Sequence, residues 1–398
     1  MDRPNLHGSL LPSPPHLFLA MAVRCPPPAR QDLDAAACGS LDWDAVGDLA
    51  VRQGLGPLAF WCLQDAAALD VLPERVAADW RDAFELTRAR NALLLSETER
   101  LLHAFEAASI PVSCLKGALF AETIYPHPAT RPMTDIDLLV RPRDVARAAQ
   151  IIHERGYCHA PTAGLDRVYV RGSSQGVQPF DAVVELHHDL LTGQVRNRKV
   201  ARLRLDQLWA EAIPAQVGAA RCSALGPEHS VLFLAAHMAV HHGQFRILWL
   251  ADLAYYLLRG PAVNWARLVE QAQRYGLRRA TGWSLRLAGD LLGAPVPPHV
   301  VAELGAAGPP TGARRAIILT SLGIGTPDGL GRDASLVARA AFLDSRWDRL
   351  RYLAAMGLGG AKEGRPASAE ATHRGRPSLW QLSLRFVRAS RAIRRFGA

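Results

Sequence analysis

No Cys-x-x-Cys pair occurs in the 398 residues, and the six cysteines, Cys25, Cys38, Cys62, Cys114, Cys158 and Cys222, are scattered along the chain. That dispersal excludes the dense disulfide framework of a small secreted scaffold and leaves reduced thiols as the expectation. Long apolar runs are lacking too. The stretch 16–23 follows Pro12, Pro14 and Pro15, has no strongly basic start and is too short to span a bilayer. A cytoplasmic protein with no integral membrane association is therefore expected. Concentrated charge is also missing: the net charge is +9 and the pI near 9.6, but arginine is spread along the chain rather than gathered in one block. Nucleic acid is accordingly not the favoured partner. With 49% apolar and 21% charged residues, wholesale disorder is excluded as well.

What is present is a chain too long for one ordinary core, dominated by helix-forming Ala, Leu and Arg. Residues 1–30 read as a Pro-rich disordered tail, and residues 31–108 as a helical region. Within it, a helical hairpin breaks at Gly54-Leu55-Gly56-Pro57, and a long helix over 73–108 carries the stripe Leu86, Leu93, Leu94, Leu101, Leu102 and Phe105. Residues 109–225 form a mixed core. There Ile110-Pro111-Val112-Ser113-Cys114-Leu115 and Ile136-Asp137-Leu138-Leu139-Val140 read as strands, as does the run 181–187. Helices return over 226–358, a polar linker covers 359–377, and a basic amphipathic helix covers 378–398.

Chemistry concentrates in the middle. Side chains two apart on a strand share a face, so Asp135 and Asp137 project together while Ile136 and Leu138 face the core. Paired carboxylates make a hard oxygen site suited to magnesium and substrate phosphates. Glu185 offers a third carboxylate, on the same side of its strand as Val183 and His187. It would bind a second ion or take the proton of an acceptor hydroxyl; the blander alternative is an edge-strand salt bridge. Lys116-Gly117 stands at a strand-to-helix turn where backbone N–H groups favour an anion such as a triphosphate. Arg131 either forks onto a phosphate or pairs with Asp135 to keep it ionised.

These residues resemble the nucleotidyltransferase superfamily and, within it, an uncharacterised bacterial branch. The carrying motifs are Leu115-Lys116-Gly117, the Tyr125-Pro126 break, Arg131-Pro132-Met133-Thr134-Asp135-Ile136-Asp137-Leu138-Leu139-Val140, Val184-Glu185-Leu186-His187 and Trp249-Leu250-Ala251-Asp252. The similarity covers most of residues 40–300. It implies an α+β fold, a small mixed-sheet core between helical N- and C-terminal regions. It also implies magnesium-dependent (or manganese-dependent) transfer of a nucleoside monophosphate from a nucleoside triphosphate such as ATP to an acceptor, with release of pyrophosphate. Asp135, Asp137 and Glu185 would be the catalytic metal ligands, with Lys116, Gly117 and Arg131 on the nucleotide. The acceptor, whether small molecule, peptide or polymer, is not readable, and some members resemble genes accompanying peptide-natural-product or polysaccharide biosynthesis. The chain departs from the superfamily in carrying Gly117-Ala118 where Gly-Ser or Gly-Gly is usual, and in a longer stretch from there to Asp135.

The histidines are weighed separately. His237, His241 and His242 lie on one expected helix, the first two a turn apart, but no Glu follows His237 as in a His-Glu-x-x-His protease. They read as buried or hydrogen-bonded rings. The resemblance adds a substrate-facing role for His187, His237, His241, Trp249 and Asp252, behind the metal ligands. Two rival classes remain: an Asp-x-Asp metal-dependent glycosyltransferase, disfavoured because the chain opens with helices, and a non-catalytic binding protein on a transferase scaffold, disfavoured by the intact carboxylates.

Overall fold

The computed structural model describes residues 14–37, 41–160, 167–171, 181–190, 203–243, 245–308, 315, 317–319 and 339–359. Its centre is a mixed sheet of seven strands: β1 (Val112–Cys114), β2 (Ile136–Val140), β3 (Cys158–His159), β4 (Val168–Arg171), β5 (Ala182–His187), β6 (Ile213–Val217) and β7 (Ala220–Ala224). The order is β3-β4-β5-β2-β1-β7-β6. β2 runs parallel to β5 and β1 parallel to β7, while the other neighbours are antiparallel. Helical regions precede and follow the sheet, so the fold is α+β.

Every residue of β2 is buried, because the strand is covered on both faces. Ile136, Leu138 and Val140 enter the main core with Val184 and Leu186, as expected for the face opposite the Asp pair. On the opposite face Leu139 packs with Leu115, Leu190, Leu208, Leu225 and Phe233 in a second, smaller cluster. Each such side chain contributes roughly 1.5–3 kcal/mol by leaving water. Polar groups on that second face are thereby held against apolar walls.

The β6–β7 hairpin has no counterpart in the sequence reading. Pro214 and the small residues of β7 give little β signal, and the turn is secured from elsewhere. Gly218 takes a φ of +58°, its N–H donates to Glu122 Oε2 (2.8 Å), and Ala219 N–H donates to Glu99 Oε1 (2.9 Å). A Cβ at Gly218 would come within 2.6 Å of the Glu99 carboxylate. Two acids on distant helices thus specify the hairpin.

The N-terminal region departs from the expected tail. α1 (Pro14–Ala22) and α2 (Arg30–Ala37) are helices, and Phe18 and Leu19 are fully buried in the main core. The prolines that suggest a tail sit at the start of α1, where a missing N–H costs nothing. Residues 1–13, like the expected linker and basic C-terminal helix over 360–398, lie outside the described residues. α3 (Trp43–Gln53) and α4 (Gly56–Asp65) make the expected hairpin; Asp42 caps α3 by accepting from Ala45 N–H.

α5 (Glu74–Ala107) spans the back of the molecule. Its buried face runs through Trp80, Phe84, Thr87, Asn91, Leu94, Thr98, Leu101 and Phe105, whereas Leu86 and Leu93 of the expected stripe are exposed. Polar residues hid this face. Thr87 and Thr98 satisfy their hydroxyls on Ala83 O and Leu94 O, each 2.7 Å away, so they can be buried among apolar neighbours.

α6 (Gly117–Thr123), α7 (Val145–Glu154) and α8 (Leu205–Ala210) connect the strands. α9 (Pro227–Ala236) then continues into a π-helical segment, His237–His242, that ends at Gly243. α10 (Ile247–Arg259), α11 (Trp265–Tyr275), α12 (Arg278–Leu292), α13 (Pro298–Glu303) and α14 (Arg346–Gly359) complete the described helices. No helix among the described residues is long and apolar enough to cross a membrane.

The corrected face of α5 has a measurable consequence. Leu94→Ala should cost about 2–5 kcal/mol in urea unfolding, the range for emptying a buried leucine site. Leu86→Gln should stay within about 0.5 kcal/mol of the parent. The reverse ranking would restore the original stripe.

Candidate functional site

Parallel pairing of β2 with β5 sets Asp137 opposite Glu185 and Leu139 opposite His187. Alternation along each strand then brings Asp137, Glu185 and His187 to one face. His187 Nε2 lies 3.0 Å from Asp137 Oδ1 and 3.7 Å from Glu185 Oε2, and ligand atoms of all three fall within 4.8 Å of one another. A single cation could bridge such a set. Asp135, just ahead of β2 and half-buried, accepts from Thr134 Oγ1 at 3.0 Å.

Lys116, which follows β1, reaches in from the neighbouring strand. Its Nζ stands 3.4 Å from Asp137 Oδ2 and 3.0 Å from His237 Nε2. An ammonium only donates, so His237 Nε2 accepts and its Nδ1 carries the proton. Gly117 takes a φ of +39°, and its Cα faces Asp135 O, Met133 Sδ and Asp137 Oδ2, each about 4 Å from where a Cβ would lie. The turn therefore fits glycine best.

The electrostatics divide the acids. Burial alone would raise Asp137, but Lys116 and His187 hold its carboxyl far below the ordinary range. Burial raises Asp135, and the neighbouring Asp137 charge adds to that. Glu185 is raised by burial too, which the nearby His187 partly offsets. Burial would lower Lys116, yet Asp137 and Asp135 outweigh it and raise the ammonium pKa. Asp137 Oδ2 is buried and makes no hydrogen bond among the described residues. An ionised oxygen left in that condition, beside two more carboxylates, fits a hard divalent cation such as magnesium.

The loop that presents Asp135 is clamped from behind by α5. Asn91, buried, donates from Nδ2 to Pro128 O (2.6 Å) and Arg131 O (2.8 Å) and accepts from Met133 N–H (3.4 Å). Arg90 donates to Met133 O and Thr134 O, both at 3.0 Å. Sequence reasoning missed both residues. The available signal was an asparagine inside the helix's buried stripe.

Arg131 differs from either sequence expectation at its charged end. It does not pair with Asp135; its Nε and Nη2 donate to Asp252 Oδ1 (2.8 Å) and Oδ2 (2.9 Å) in a buried fork, and Tyr125 OH donates to Oδ1 at 2.8 Å. Asp252 is thus the anchor that fixes the entrance to β2 against α10, and it does not line the cavity.

Facing the acids across a cavity of about 280 Å³ are His237, His241, His242, Arg246, Leu248 and Trp249. In an α-helix residues five apart diverge by about 140°. The π turn removes that divergence: His242 Nε2 lies 3.2 Å from His237 Nε2, and the rings of His241 and His242 are 4.6 Å apart. Helical spacing singles out only His237 and His241, so the contribution of His242, like that of Arg246, went unread. Burial first, then nearby cations, keeps all three imidazoles neutral, with His241 pushed down to about 4.

The Arg131–Asp252 fork supplies a stability test. Asp252→Asn should cost about 3–5 kcal/mol, because it leaves a buried guanidinium without its counter-charge. Replacing both partners, Arg131→Met with Asp252→Leu, should recover much of that loss in the same denaturant titration. An unchanged single variant would show that the fork holds nothing in place.

Comparison with known proteins bears on this geometry as a whole. No curated protein and no solved structure matches the chain. The family described as "Uncharacterised nucleotidyltransferase" matches residues 39–293, a span that runs from α3 through α12 and contains every site residue named above. The chain belongs to this uncharacterised nucleotidyltransferase family, and is a transferase of phosphorus-containing groups.

Proposed function

We propose that the protein transfers a nucleoside monophosphate from a nucleoside triphosphate to a hydroxyl of an acceptor, with magnesium as the cofactor, manganese as its substitute, and pyrophosphate as the second product. The observation that carries this reading is the register of β2 and β5, which sets Asp137 beside Glu185 with Asp135 at the strand entrance. In this reading Asp135, Asp137 and Glu185 hold the magnesium, which supplies charge neutralisation for the triphosphate when bound. His187 donates to Asp137 Oδ1 and leaves Oδ2 on the side of Lys116.

The acceptor oxygen bonds to the α-phosphorus while the bond from that phosphorus to the bridging oxygen breaks, and pyrophosphate leaves with the electron pair. Glu185 takes the hydroxyl proton; its raised pKa makes it a better base than Asp137. Lys116, held between Asp137 and His237, sets a positive charge beside the phosphates, next to the Gly117 turn. Arg131 serves the nucleotide indirectly, through the loop that it ties to Asp252. The five described cysteines are free thiols, which suits a cytoplasmic enzyme, and a natural-product or polysaccharide pathway is its proposed setting.

Asp135→Asn is the cleaner of the two aspartate tests, since Asp137 also compensates Lys116. Incubation with magnesium, labelled nucleoside triphosphates and a cell extract should yield a labelled product with the parent protein. The Asp135→Asn rate should fall at least about 100-fold with little change in melting temperature. Full activity in that variant would remove Asp135 from the metal site.

Glu185→Gln separates catalysis from binding. Turnover should fall by about 100-fold or more while triphosphate affinity stays close to the parent's, because Asp135 and Asp137 remain. A plain strand salt bridge would instead leave turnover normal.

A further inference from the structure

The cavity has two chemically different ends, and only one is accounted for by a metal-bound triphosphate. At the other end, Arg246 packs its guanidinium 5.4 Å over the Trp249 ring and donates Nη2 to the backbone carbonyl of Arg52 at 2.7 Å. Among the described residues no carboxylate pairs with it. Burial lowers its pKa with no anion to offset the effect. A half-buried guanidinium that lines a cavity without a counter-ion is costly unless something anionic arrives there.

Its neighbours point the same way. His241 lines the same wall and makes no hydrogen bond among the described residues, so its ring N–H can donate to a ligand. No carboxylate lines this end of the wall, since Asp135, Asp137 and Glu185 all stand on the sheet side. Between Lys116 and Arg246 stand three rings. From Lys116 the contacts run to His237 (3.0 Å), from His237 to His242 (3.2 Å), and from the His242 ring to Trp249 (4.6 Å), with Arg246 beyond.

We propose that Arg246, with His241 on the same wall of the cavity, binds an anionic group, a phosphate or a carboxylate, carried by the acceptor whose hydroxyl receives the nucleotidyl group. The proposal rests on the reading of the sheet acids as the nucleotide site. It makes the acceptor a hydroxylated anion whose charged group enters a cavity of about 280 Å³. The fork of Arg246 grips two oxygens of the anion, and His241 donates to a third or to a neighbouring oxygen.

The test is calorimetry on the full chain with magnesium and a triphosphate whose α,β bridge is a methylene, followed by titration with inorganic phosphate and, separately, acetate. The nucleotide-loaded parent should bind one of these anions, and the tighter of the two names the class. Arg246→Gln should weaken that second event at least about tenfold, roughly 1.4 kcal/mol, while nucleotide affinity stays within about twofold. Arg246→Lys, which keeps the charge and stem but not the fork, should fall between and guards against loss of fold. The proposal is overturned if no second anion binds the parent, if Arg246→Gln binds it as tightly, or if that variant loses nucleotide affinity about tenfold. Failure of the parent to bind triphosphate would sink the nucleotide reading instead; phosphate titrated into the nucleotide-free parent and Arg246→Gln would then still decide the subsite.

Discussion

Asp137 sits on a strand buried on both faces, so its carboxylate stays ionised only because cations meet it inside the protein. Lys116 meets one oxygen from the side of β1 and His187 meets the other from β5. Both partners are delivered by the sheet itself: β1 and β5 are the two strands that flank β2. Strand order is therefore the electrostatic arrangement of the site. A slip of one residue in the β2–β5 register would turn Glu185 and His187 to the opposite face, into the apolar core, and leave Asp137 with Lys116 alone.

The helical half completes what the sheet starts. Asp252 on α10 holds Arg131, Asn91 and Arg90 on α5 hold the carbonyls around it, and the approach to Asp135 is fixed from both sides. The π turn after α9 performs a related task on the opposite wall. By bringing His242 over His237 it closes a row of neutral rings from Lys116 to Trp249, so that the Lys116 ammonium, paired with Asp137 on the sheet side, meets a neutral acceptor on the helical side. π segments carry poorer backbone hydrogen bonding than α-helix, and such a segment beside a cavity is where function commonly explains the cost.

How much of this was legible depended on whether a residue's partner was local. Asp135, Asp137 and Glu185 could be placed because alternation along a strand is a short-range rule, and the α3–α4 hairpin because Gly54 and Pro57 punctuate it. The pairing of Arg131 with Asp252 went unread since the two lie 121 residues apart. The α5 stripe was right for Leu94, Leu101, Leu102 and Phe105 and missed the upper half of the face for the opposite reason. Its buried face includes Thr87, Asn91 and Thr98, whose polarity is satisfied only by backbone groups visible in the fold, so leucine spacing pointed to Leu86 and Leu93 instead. The β6–β7 hairpin was invisible because Glu99 and Glu122, not its own turn residues alone, hold it.

The departure at Gly117-Ala118 acquires a physical sense from the same arrangement. Ala118 is buried at the start of α6 in the main core, so a hydroxyl there would need a partner inside an apolar cluster. In the proposed nucleotide reading, loss of that hydroxyl would shift the recognition of phosphate toward charge. Lys116 is the group positioned for it, and its ammonium is kept protonated by the very carboxylates that the proposed metal would share. Two cationic elements, one supplied by the chain and one by the cofactor, then answer to the same acids. Binding of metal and triphosphate would be coupled through Asp137, since any charge drawn to the oxygen that Lys116 faces changes what Lys116 has left to offer the phosphates.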